Sequence, residues 1–372
     1  MVKSTTNSFK ELKGRIQRAV EIREFITSNV AKHPKDIARL VIEKFGITRA
    51  TAVKHLRDLS EEGVLESEGI TKNRSYRLKE IVDVYISLEV TPQLQEDVVW
   101  IEQVKPLISE NTPENVLGIC AHGFTEMLNN VIDHSESEFA SIHVKRNANR
   151  IEFWITDRGV GIFKKIQREC NLEDIHHAIL ELAKGKLTTN PAKHSGEGIF
   201  FTSRMFDFFM IFSENIEFMR SGKDDWLFER TTSQPAPGTS VNMEIGINAT
   251  QTAKEVMDTY RAEFDSFGFS KTIIPLKLME YEGEKLISRS QAKRLLARAD
   301  KFKEVVLDFN GITEIGQAFA DQIFRVYKNL NPHVHLYPIN TTDYVRSMIH
   351  RAEEAAHNAD QESLFPITPE PA

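Results

Sequence analysis

The feature that most limits how this chain can fold is a pair of glycine-bearing boxes, each at a junction between regular elements. Asp157-Arg158-Gly159-Val160-Gly161 follows the alternating apolar run 151–156, and Gly196-Glu197-Gly198 leads straight into the apolar stretch 199–206. A carboxylate at a strand end followed by glycines lets backbone approach a ligand, because glycine carries no Cβ and tolerates positive φ. Glycines leading into a helix present its unpaired N–H groups to an anion. From 111 to 247 the pattern is helix, strand hairpin, two helices, a Gly/Thr/Asn/Pro loop, another helix and then strands, which suits an α/β sandwich.

The segment before the first box adds a third element. Thr112-Pro113 predicts a helix start, with the hydroxyl as cap and a proline at the first position, where its missing N–H costs nothing. On that helix Glu126, Asn130 and His134 recur every fourth residue and so share one face. Val116, Ile119, Cys120, Met127 and Val131 occupy the opposite face. Taken alone, such a polar stripe is a solvated surface with Glu126 paired to a nearby Lys or Arg; beside the glycine boxes it reads as the wall of a site. Residues 185–190 and His194-Ser195 bracket a loop containing Lys186 and Lys193, with Lys184 just before it; these lysines either meet phosphate charge or are simply solvated. Pro237-Gly238-Thr239 precedes an alternating strand over 240–245, while Trp154 and the phenylalanines around Phe206 read as core.

The four segments TEMLNNVIDHS, DRGVGI, HSGEGIFFTSR and PGTSVNMEI, in this order, resemble the GHKL ATPase family shared by gyrase, chaperone, mismatch-repair and histidine-kinase ATPases, over about 111–247. The resemblance implies a Bergerat α/β sandwich that binds ATP with Mg²⁺. Asp157 would accept from the adenine amino group, backed by the Thr239 hydroxyl, and Asn130 would offer its amide oxygen to Mg²⁺. Gly159, Gly161, Gly196 and Gly198 would bring backbone to the nucleotide, with Lys193 beside its phosphates. Glu126, one helical turn before Asn130, would polarise a water for attack on the γ-phosphate. Histidine kinases usually lack that carboxylate, so its presence, with His134-Ser135, points to hydrolysing or serine-kinase-like anti-sigma members.

Both flanks carry further signals. Residues 11–80 read as three helices and a hairpin, beginning with the apolar set Ile16, Val20, Ile22, Phe25 and Ile26. A second helix spans 34–45; Gly46 breaks it and Thr48 caps a third over 49–62, followed by strands at 64–67 and 75–78. This pattern resembles a winged-helix DNA-binding domain. Arg49, Lys54 and Arg57 on the third helix and Lys72, Arg74 and Arg77 on the wing would hold a duplex backbone, with Thr51, Lys54 and His55 toward base edges. A winged helix serving protein contacts is the other reading. After a linking strand at 82–90 and a connecting helix at 96–108 comes the central unit, and from Lys271 a third one. It holds strands at 303–309 and 334–338 and helices at 317–330 and 343–356. Within it VVLDFNGITEIGQAFADQIF resembles the STAS-like domain of anti-sigma-factor antagonists, in which a Ser near the helix start accepts phosphate. Here Gly316-Gln317-Ala318 offers no hydroxyl at that place, so a phosphorylation switch within the chain is not expected there.

Composition bounds the rest. In 372 residues, 41% hydrophobic and 27% charged content predicts folded units, and a net charge of −7 excludes a protein that coats nucleic acid by bulk charge. Two cysteines without a C-x-x-C pair exclude a disulfide framework or a cysteine zinc site, and no apolar leader or run of about 18 apolar residues occurs. The expectation is a cytoplasmic α+β multidomain protein with no membrane contact. Its units are a winged helix (1–80), a linker (81–110), a GHKL domain (111–250), a STAS-like domain (251–357) and a disordered tail (358–372). The expected function is an ATP-responsive transcriptional regulator that binds double-stranded DNA, by analogy as a homodimer. The alternatives are a serine/threonine protein kinase or ATPase of the anti-sigma type acting on a protein partner, or a nucleotide-binding scaffold without turnover.

Overall fold

The computed structural model describes residues 2–70, 73–172, 174–187, 196–230, 236–261, 269–280 and 285–364. It is an α+β protein in which helices pack on three sheets.

The N-terminal unit comprises helices α1 (Val2–Asn29), α2 (Ile37–Phe45) and α3 (Arg49–Glu61), followed by the antiparallel pair β1 (Leu65–Glu68) and β2 (Ser75–Leu78). Thr48 caps α3 by accepting from the Thr51 N–H, and Gly46 closes α2 at a left-handed φ of 60°. Ile22, Ile26, Val41, Leu56, Leu59 and Leu65 form a small core of their own. Ile16 and Val20, expected to belong to it, are 58% and 42% exposed, because α2 and α3 cover only the last turns of a helix longer than they can span.

Residues 82–108, expected to link two units, are built into the central one. β3 (Val82–Glu89) is the edge of a seven-stranded antiparallel sheet, and α4 (Glu96–Val99), a π-helical turn (Trp100–Val104) and α5 (Lys105–Ile108) bury Val99, Trp100, Val104 and Ile108 in its core. There follow α6 (Glu114–His134), β4 (Phe139–Arg146), β5 (Arg150–Asp157), α7 (Ile162–Glu169), α8 (Ile175–Lys184) and α9 (Gly198–Met205). The unit then continues through β6 (Phe208–Glu214), β7 (Ile216–Ser221), β8 (Asp224–Glu229), β9 (Ala236–Gly246) and α10 (Ala253–Thr259). The strand order is β3-β4-β5-β9-β6-β7-β8.

Thr112 does not cap α6: its hydroxyl donates to the Ile108 carbonyl at 2.5 Å, and Pro113, with an extended ψ of 146°, holds the cap position. The extended proline sets Thr112 outside the helix, where the nearest acceptor is the end of α5. The apolar face of α6 is buried as its spacing dictates, and α9 crosses it closely at Gly123. A Cβ there would lie 2.3 Å from Cε2 of Phe206. Gly123→Ala is therefore expected to lower unfolding free energy by about 1–3 kcal/mol, read from chemical denaturation, as overpacking at a helix crossing does.

The C-terminal unit is a parallel three-stranded sheet, β10 (Lys271–Pro275), β11 (Glu304–Asp308) and β12 (His335–Ile339), with α11 (Arg289–Leu296) joining the first pair. α12 (Gln317–Asp321), a π-helical turn (Gln322–Tyr327) and α13 (Lys328–Leu330) join the second pair. α14 (Asp343–Leu364) runs past Asn358, where a disordered tail was expected to begin. One continuous apolar core joins this unit to the central sheet, running in sequence from Leu88 to Ala352. No helix among the described residues is long and apolar enough to cross a membrane.

Candidate functional site

Strand alternation decides where Asp157 points. Ile151, Phe153 and Ile155 of β5 are buried toward the helices, so Asp157, two residues further on, ends the strand on that same side and is 4% exposed. Its Oδ1 accepts the Gly159 N–H at 2.8 Å and the Thr239 N–H at 3.3 Å; Oδ2 takes no hydrogen bond from the described residues. Burial pushes the carboxyl above its usual range, and these two amides only partly oppose the shift. Thr239 thus reaches Asp157 through its backbone rather than its hydroxyl, which accepts the Ile162 N–H at 3.0 Å and fixes the start of α7 instead.

Gly159 packs where no side chain fits: a Cβ would lie 1.8 Å from the carbonyl oxygen of Ser135, which also accepts the Val160 N–H at 2.9 Å. Because the obstacle is backbone, Gly159→Ala has to shift the end of α6 or the whole turn. We expect a loss of at least about 3 kcal/mol of stability, seen as a lowered denaturation midpoint or insoluble expression.

Glu126, Asn130 and His134 line one cavity of about 350 Å³ together with Asp157, Gly161, Gly196, Gly198 and Thr239. That volume suits a small-molecule site. The floor is apolar, formed by Met127, Ile155, Ile166, Leu182, Phe200 and Val241. At one end stands Asp157; at the other, α9 begins with Gly198, whose added Cβ would lie 2.0 Å from Oε2 of Glu126. The first N–H groups of a helix have no intrahelical partner and carry partial positive charge, so this end favours anions. Nδ2 of Asn130 is buried without a hydrogen-bond partner among the described residues, an arrangement that costs about 1–3 kcal/mol unless a ligand satisfies it. Among the described residues no group of three or more His, Cys, Asp or Glu side chains could hold a metal ion.

Lys165 also lines the cavity, with Nζ donating to the His134 carbonyl at 2.8 Å and to Glu136 at 3.3 Å. Its place four residues after Gly161 on α7 is the signal that would have found it. Lys184, read as either meeting phosphate or solvated, does neither: it is 1% exposed and bonded to Glu181, and Lys186 donates to the Lys301 carbonyl. Lys193, like His194 and Ser195, lies outside the described residues.

The basic residues of the N-terminal unit lie apart from this cavity. Arg49, Lys54, Arg57, Arg74 and Arg77 are exposed, whereas Thr51 and His55 are half-buried; Lys72 lies outside the described residues. Two of the cations have partners of their own, Arg57 with Glu61 at 3.6 Å and Arg77 with Glu66 across the β1–β2 pair at 2.9 Å. The Thr51 hydroxyl lies 2.9 Å from that of Thr48, inside the cap, and burial lowers the pKa of His55.

No curated protein matches the sequence. Residues 291–346 match the model of a family described as a STAS-like domain of unknown function (DUF4325). The match covers α11, β11, the helical stretch after it and β12, so the C-terminal unit carries a STAS-like domain.

Proposed function

We propose that the central unit is a GHKL-type nucleotide-binding domain and that the cavity takes ATP with Mg²⁺. The observation that carries this reading is the opposition of two ends. A buried carboxylate with one oxygen open stands at the strand end, where Gly159 packs on Ser135, and a glycine-started helix lies against Glu126; Asn130 falls between these two positions on α6, its Nδ2 without a partner among the described residues. The open Oδ2 of Asp157 suits an exocyclic amino donor, and it rejects a carbonyl in that place because two acceptors would face each other. The apolar floor suits the base. Asn130 lines the same cavity, and Mg²⁺ would be held by its amide oxygen together with phosphate oxygens and water. When bound, the ion would neutralise charge on the phosphates; the chain itself orients the tail by the Gly196 and Gly198 amides and excludes water with its apolar wall.

In the same reading, residues 1–80 form a winged helix that binds double-stranded DNA through Arg49, Lys54 and the neighbouring cations, and the chain works as a nucleotide-responsive regulator. Lys72 and Lys193 belong to the proposal by resemblance alone. Exposure of Arg49 and Lys54 on α3 supports the DNA part. Replacing both with Ala is expected to weaken DNA binding about tenfold and to reduce the salt slope of log K by roughly 2. A gel shift with and without Mg-ATP tests the switch, and equal DNA affinity in both lanes would remove it.

A second reading is favoured by Glu126, whose carboxylate rests against Gly198 within reach of the phosphate end. It makes the chain an ATPase or a serine/threonine kinase acting on a protein. Incubation with γ-labelled ATP separates the two readings: release or transfer of label by the wild type but not by Glu126→Gln supports turnover.

A further inference from the structure

We propose that the STAS-like unit sets the phosphate end of the cavity through Lys184, acting as a positioning residue for the site. This rests on the nucleotide reading above and adds to it how the C-terminal unit communicates with that site.

Helix α8 presents two faces to two partners. Leu182 lines the cavity, whereas Glu181 and Lys184 turn to the C-terminal unit. The Lys184 ammonium donates to Oε1 of Glu181 at 2.6 Å, to the Ala297 carbonyl at 2.8 Å and to the Arg294 carbonyl at 3.3 Å. Those carbonyls belong to the last turn and the cap of α11, where helical C=O groups lack partners and favour a cation. The Lys184 carbonyl in turn accepts the hydroxyl of Thr272 on β10, so the residue is held at both ends by the STAS-like unit.

The next three residues carry that grip to the cavity wall. At Gly185 a Cβ would lie 2.7 Å from the ring of Phe269 and 2.8 Å from that of Phe200. Lys186 donates to the Lys301 carbonyl at 3.0 Å and lies 4.8 Å from the centroid of Phe302, while Arg298 donates to the Lys186 carbonyl at 3.3 Å. Leu187 then donates to the Gly196 carbonyl at 3.2 Å, and both of these residues line the cavity. In parallel, cavity-lining Phe200 packs on Phe269 at 4.4 Å between centroids. Within four residues the chain passes from the end of α11 to the glycines that start α9.

An apolar pair would hold two units together at least as well, since burying an ion pair costs desolvation that its attraction barely offsets. What a cation on helix carbonyls adds is a defined distance and direction between α8 and α11. If ATP prefers the arrangement in which Gly196 and Gly198 are held by this grip, docking of the STAS-like unit strengthens by the same factor that nucleotide binding does. An effector that draws α11 away from α8 would then weaken nucleotide binding without touching the cavity.

Hydrogen exchange on the full chain tests this. In the wild type, saturating Mg-ATP is expected to slow exchange of the 291–302 amides at least about threefold, although they lie outside the cavity lining. The double variant Glu181→Gln/Lys184→Met removes the grip; Arg298, which also pairs with Glu181 at 3.7 Å, is part-exposed and keeps its bond to the Lys186 carbonyl. Without ligand the variant should exchange about tenfold faster at Leu187, whose N–H the Gly196 carbonyl accepts, with β5 and α6 unchanged as the folding control. Its affinity for ATP should fall about tenfold, and Lys184→Arg should recover most of the loss. ATP binding by the wild type with no response at 291–302 overturns this proposal alone, a result that needs no variant to fold. Absence of any ATP binding by the wild type overturns the nucleotide reading and this proposal with it.

Discussion

Asp157→Asn is expected to weaken ATP binding about 100-fold while making the ligand-free protein more stable. Two backbone N–H groups, those of Gly159 and Thr239, point at Oδ1. A carboxamide here has to turn its oxygen to these donors, which aims its NH₂ group at the position the adenine amino group would take. Donor then faces donor, and a buried clash of that kind costs about 2–3 kcal/mol, the equivalent of the stated loss. Stability moves the other way. Burial raises the pKa of Asp157, so the folded chain holds a proton that the unfolded chain has released. Stability therefore declines as pH rises from the ordinary carboxylate value of 3.8 through the raised folded value, and is level above it. The asparagine escapes that decline. Its advantage, read as a higher melting temperature, is greatest at neutral pH and closes as the pH falls toward the ordinary carboxylate range. A variant that binds ATP as the wild type does would remove Asp157 from base recognition.

On the turnover reading, Glu126→Gln is expected to do the opposite to the ligand cycle: nucleotide affinity stays within about threefold, and phosphate release or transfer falls by about 10²–10⁴. The amide is isosteric with the acid, so it fits against Gly198 where an added Cβ would not. It cannot take a proton from an attacking water or hydroxyl. Single-turnover measurement with γ-labelled ATP reads the effect, with calorimetry as the control on affinity. Equal turnover by both proteins would reduce Glu126 to a structural partner of the α9 start, and no turnover by the wild type would leave the cavity a sensor.

Local spacing announced a good part of this geometry. The every-fourth-residue placing of Glu126, Asn130 and His134 put them on one face because helical periodicity alone demands it, and they line one cavity with Asp157 and the glycines. Thr48 capped its helix as its neighbours dictated, and the segment resembling a STAS-like domain lies within the range that matches one. Interactions between segments distant in sequence were not legible. The alternating run at 82–89 reads equally as a linker strand or as a sheet edge until its partner Phe139–Arg146 is known. Thr112 carries cap chemistry, but an extended Pro113 sets it beside another helix. Lys184 reads either as a phosphate ligand or as a solvated lysine because it stands at a glycine-rich loop, yet besides Glu181 the acceptors that claim it, the Arg294 and Ala297 carbonyls, lie more than a hundred residues away at the end of α11. Thr239 contributes its N–H to Asp157, and a backbone contact leaves no trace in residue type.

Titration of the full chain with Mg-ATP in an isothermal calorimeter, with Mg-GTP and the Asp157→Asn variant in parallel cells, tests the central claim most directly. The account predicts saturable one-site binding of ATP by the wild type, with no measurable heat of binding for GTP and a roughly 100-fold weaker isotherm for the variant. Absence of binding heat for ATP, or equal binding of ATP and GTP by the wild type, would contradict it.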